Sequence, residues 1–130
     1  VDCALKTPPT DPVVDPLDGI HWRLHRELLV VTDDGKRWWV PRGFITDFAS
    51  AKVGRFYLLT HRSTYSVPSI FHDYLYLTAK VSRKQADIYF HELLLRQGIN
   101  WYNRWKAYYG VRVFGWYPWL KYRNQAIRSA

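Results

Sequence analysis

The chain has 130 residues, 48% of them hydrophobic and 18% aromatic, which excludes a disordered polymer and leaves room for one core but not two. Nineteen basic against eleven acidic residues give a formal charge of +8, which favours anionic partners without choosing among nucleic acid, lipid headgroups and acidic protein surfaces. The one cysteine, Cys3, excludes an intramolecular disulfide and a multi-cysteine zinc site, and no apolar run approaches the length of a membrane span.

Residues 1–18 hold Pro8, Pro9, Pro12 and Pro16 together with Asp2, Asp11, Asp15 and Asp18, and no basic-then-apolar leader pattern opens them. Proline removes backbone donors and blocks helix, so this segment is expected to be an extended arm, with a single α+β domain over 19–130. IHWRLH (20–25), ELLVVT (27–32) and KRWWVP (36–41) are β-rich. Asp33-Asp34-Gly35 between the last two is a hairpin signal, because the turn needs positive φ values. The expectation is an N-terminal three-stranded antiparallel meander.

The second half reads as helix. TDFAS (46–50) suits a turn capped by Asp47, and HRSTYS (61–66) a polar loop. Pro68 fits the first turn of a helix running to about Thr78. Ser82 three residues before Gln85 is a capping-box pattern for a second helix ending at Gln97, with Gly98 as its stop. Asn100 can cap a third, whose Trp101, Trp105 and Tyr108 share a face. A meander followed by about three helices makes the fold class α+β.

Chemistry concentrates in FHDYLYLTAKVSRKQADIYF (71–90). His72 and Tyr76 are one helical turn apart, and Asp87 lies at the edge of the second helix's apolar face, where a carboxylate is costly unless paired. If the two helices pack antiparallel, Asp87 can reach His72 or Tyr76. A carboxylate that orients an imidazole lets it take a proton from water, so His72, Asp87 and Tyr76 form a candidate catalytic group. Asp73 and Asp47 are candidate oxygen ligands for a hard cation such as calcium, the one cofactor the pattern suggests and none that it requires. The competing expectation is structural: the same His and acids tie two helices together. His91, one turn after Asp87, is expected to pair with it.

VPRGFITDFAS, HDYLY, SRKQADIYFHELL and the closing VRVFGW, in that order, resemble a small family of phage and prophage proteins catalogued as a domain of unknown function. The resemblance implies a phage or prophage origin, with a place in the virion or the infected host cell. HDYLY is also similar to the His-Asp-x-x-Tyr helix of phospholipases A2. Carried over by position, that likeness implies His72 as base, Asp73 as calcium ligand, Tyr76 as support and Asp87 as orienting carboxylate. The glycine-rich calcium loop and the cysteine framework of the secreted enzymes are absent.

Seven Trp and ten Tyr are more rings than a domain of this size buries completely. The aromatic, basic run Trp101, Arg104, Trp105, Lys106, Trp116, Trp119, Lys121 and Arg123 suits protein contacts or an anionic membrane surface. No module for sequence-specific nucleic acid is visible. The leading expectation is a phage structural or accessory protein, a tail or virion component acting through other phage proteins. The alternative is an envelope-directed hydrolase.

Overall fold

A computed structural model describes residues 14–16, 22–46 and 62–129, and the side chains of 22–46 and 67–125. Five strands precede four helices: β1 (Val14–Pro16), β2 (Trp22–Leu24), β3 (Leu28–Val31), β4 (Arg37–Val40), β5 (Ile45–Thr46), then α1 (Arg62–Thr78), α2 (Arg83–Arg96), α3 (Trp101–Phe114) and α4 (Trp116–Ser129). The fold is α+β, with antiparallel strands first and one helix more than the sequence pattern gave.

The strands form two sheets rather than one meander: β1-β2-β5 and the β3-β4 hairpin. The cause is the turn at 41–44. Gly43, at φ 88°, folds the chain back so that its N–H donates to the Leu24 carbonyl at 2.8 Å, while the Leu24 N–H donates to Phe44 at 2.8 Å. This occupies the edge of β2 that a meander would offer to β3. The other edge pairs with β1, which lies inside the proline-rich segment.

The hairpin itself forms where expected. Gly35, at φ 84°, closes a tight turn in which its N–H donates to Thr32 at 2.9 Å and the Thr32 N–H donates to Lys36 at 3.0 Å. Polar groups at the turn hold it against α2. Tyr89 Oη donates to Asp34 at 2.5 Å, and Arg96 donates to the Val31 carbonyl at 2.6 Å and to Asp33 at 2.7 Å.

Helix α1 is the central element, buried without interruption from Val67 to Tyr76. Phe71 packs on Trp38 and Tyr74 on Phe44 toward the strands, His72 faces Phe90 of α2, and Tyr76 meets Trp119 of α4. It also begins earlier than expected. Arg62–Ser66 is helical rather than loop, and Pro68 lies inside the helix instead of at its start. Packing on every side offsets the one backbone donor that proline lacks.

The next two helix starts follow their caps. Ser82 Oγ accepts from the Gln85 N–H at 3.1 Å, and Asn100 Oδ1 accepts from the Asn103 N–H at 2.9 Å. Helix α4 carries no comparable N-terminal signal. Gly115 keeps a right-handed helical backbone (φ −72°, ψ −14°), so the chain leaves α3 and re-enters helix at once.

Candidate functional site

His72 and Tyr76 lie on α1 one turn apart, and the antiparallel packing of α1 on α2 brings Asp87 to both. His72 Nε2 and Tyr76 Oη each stand 2.6 Å from Asp87 Oδ1. A carboxylate only accepts, so Nε2 carries the proton and both groups donate. Asp87 Oδ2 takes Arg112 of α3 at 2.8 Å and stands 3.6 Å from Arg83, one turn earlier on α2. One carboxylate thus ties three helices.

The cluster is sealed. His72 is 2% exposed, Tyr76 3% and Asp87 0%. The imidazole lies between rings, with centroids 4.2 Å from Tyr76 and 4.8 Å from Phe90. Trp119 meets the far side of Tyr76 edge-on at 5.2 Å. Backbone adds to the cover, because a Cβ on Gly115 would collide with the Tyr76 hydroxyl and the Val111 carbonyl.

Burial sets the protonation states. It holds the His72 imidazole below its ordinary pKa and outweighs the attraction of Asp87. For Asp87, burial pushes upward, but donation from His72, Tyr76 and Arg112 together keeps the carboxyl below its usual range. Burial, reinforced by Asp87, pushes the Tyr76 phenol well above its normal value. The state at neutral pH is a neutral imidazole and phenol donating to an ionised carboxylate, whose counter-charges are arginines.

The other described candidates make separate contacts. Asp73 is buried and accepts from Thr46 Oγ1 of β5, tying α1 to the sheet. Asp47 lies outside the described residues. Among the described residues no group of three or more His, Cys, Asp or Glu could hold a metal ion. His91 does not pair with Asp87, whose oxygens are already taken by donors. Its Nε2 accepts from Arg104 at 3.1 Å, and its ring packs on Trp105 at 4.2 Å. Arg83, Arg112, Gly115 and Trp119 were missed. Arg83 was legible, since it precedes Asp87 by one turn, whereas Arg112 comes from another helix and has no local signal.

A family model described as a protein of unknown function, DUF1353, matches residues 22–111. The chain belongs to this family. No curated protein and no solved structure matches it. The DUF1353 span contains His72, Asp73, Tyr76, Arg83 and Asp87 and stops one residue before Arg112. Helix α4, with Trp119, lies beyond it. Among the described residues no helix is long and apolar enough to cross a membrane.

Proposed function

We propose that this DUF1353 chain is a non-catalytic structural or accessory protein of phage or prophage origin, a tail or virion component working through protein contacts. The buried cluster is its folding lock. One observation carries this reading: the residues with catalytic chemistry are sealed under rings and backbone, with His72 at 2% exposure. A general base must reach the proton it takes, directly or through one water. An imidazole enclosed between the tilted rings of Tyr76 and Phe90 supports an internal donor instead. The phage assignment rests on the ordered motifs VPRGFITDFAS, HDYLY and SRKQADIYFHELL.

The alternative is a phospholipase A2-like hydrolase with His72 as base, Asp87 as its partner and calcium at Asp73 and Asp47. It draws on HDYLY and on the approach of Asp87 to His72. Two measurements decide. Mass spectrometry of purified particles should find the chain, and its absence from them would remove the virion role. Phospholipid assays with calcium should show no turnover. Turnover that His72→Gln abolishes at unchanged melting temperature would establish the hydrolase.

A further inference from the structure

All eleven acidic residues of the chain precede residue 93, and residues 101–130 carry six Lys or Arg with no Asp or Glu. The same thirty residues hold ten aromatic rings. Helices α3 and α4 are therefore an aromatic and cationic half of a protein whose acids all lie elsewhere.

The rings divide between two faces. Trp105, Tyr108 and Trp119 turn inward onto His91 and Tyr76. Tyr102, Tyr109, Val113, Tyr117 and Leu120 are all at least half exposed. With Lys106 they follow a helical spacing of 4, 3, 4, 4 and 3 residues, carried across Gly115 by its helical backbone. Trp116, 55% exposed, stands beside Tyr117 at 63%, their ring centroids 6.0 Å apart. Lys106 Nζ lies 5.7 Å over the Tyr102 ring.

Arg112 meets a carboxylate, Asp87. Arg104 donates to His91 and a backbone carbonyl, and Arg123 to the Tyr76 and Leu77 carbonyls, so neither cation is neutralised by its partners. Lys121 is exposed.

We infer that the outer face of α3 and α4 docks on an anionic lipid bilayer, with Tyr102, Tyr109, Trp116, Tyr117 and Leu120 at headgroup depth. Trp and Tyr carry an apolar ring and a polar edge, which suits that depth, while lysines meet the lipid phosphates. Lysine decides against a protein partner. Protein interface cores gather Tyr and Trp but deplete Lys, whereas here Lys106 lies within the aromatic stripe and Lys121 follows Leu120. The surface is distinct from the buried lock and goes beyond the proposed function, so either reading can fail alone.

The test is co-sedimentation of the full chain with vesicles of equal parts phosphatidylethanolamine and phosphatidylglycerol, against phosphatidylcholine alone. The chain should bind the anionic vesicles, and lipids brominated near the headgroup should quench its Trp fluorescence. Trp116→Ser with Tyr117→Ser should abolish quenching at unchanged melting temperature. Lys106→Gln with Lys121→Gln should weaken binding about thirtyfold. No binding to anionic vesicles, equal binding to phosphatidylcholine, or binding indifferent to the aromatic pair would overturn the inference. Equal retention on duplex DNA would show a general polyanion surface and overturn it too. So would a dimer in sedimentation that Trp116→Ser dissolves, since the face would then belong to a second copy.

Discussion

Asp87 shows why a buried carboxylate is held rather than avoided. Its desolvation is costly, and the donors from His72, Tyr76 and Arg112, with Arg83 nearby, repay it only as a set. Asp87→Asn removes the charge while leaving two arginines facing the site. It should cost about 3 kcal/mol, the lower end for breaking a buried pair because both arginines keep some solvent contact. Urea denaturation should show this as a lower midpoint with an unchanged slope. Gly115 is a second single-residue constraint, set by space rather than by φ. Gly115→Ala should destabilise by about 2 kcal/mol through overpacking on the Val111 carbonyl and the Tyr76 hydroxyl. In the Tyr76→Phe background the penalty should shrink, and a double-mutant cycle reads that coupling.

Elements were legible in the sequence where a local rule decided them. Ser82, Asn100 and Asp33-Asp34-Gly35 act within a few residues, and each capped or turned the chain where its pattern placed it. What was not legible came from contacts between distant segments. Arg62–Ser66 is polar yet helical because it continues a helix that is buried from Val67 to Tyr76, and β2 prefers β5 because Gly43 reverses the chain. The approach of Asp87 to His72 and Tyr76 was readable from helix spacing, but the burial that makes it a lock also depends on Gly115 and Trp119, far along the chain. The end of α1 carries a testable imperfection. Ala79 terminates it at φ 52°, a left-handed conformation that favours glycine, with its N–H on the Leu75 carbonyl at 2.9 Å. Ala79→Gly should therefore raise stability by up to about 1 kcal/mol, measured as a higher melting temperature.

At the scale of the molecule, burial of ionisable groups gives stability a defined pH dependence. The folded His72 pKa is lowered, so below about 6.5 the unfolded chain takes up a proton that the folded one resists. Stability is complete above that pH and falls as pH drops through it, by up to about 1.4 kcal/mol per pH unit. His91, also lowered, adds in the same direction. The lowered Asp87 and Asp34 carboxyls extend the loss below about 3.8, whereas the raised Glu92 offsets part of the histidine loss as pH falls through its folded pKa toward its ordinary value. Thermal melts from pH 7.5 to 5 should slope downward, and His72→Gln should flatten the slope to the His91 contribution. An unchanged slope would place His72 in contact with water.

That contact is the point on which lock and catalyst differ, and imidazole ¹⁵N NMR of the folded chain reads it directly. The lock predicts a neutral His72 ring with the proton on Nε2, slow to exchange with solvent, and no titration from pH 7.5 to 5 while the protein stays folded. A His72 resonance that titrates near 6.5 with rapid proton exchange would contradict it.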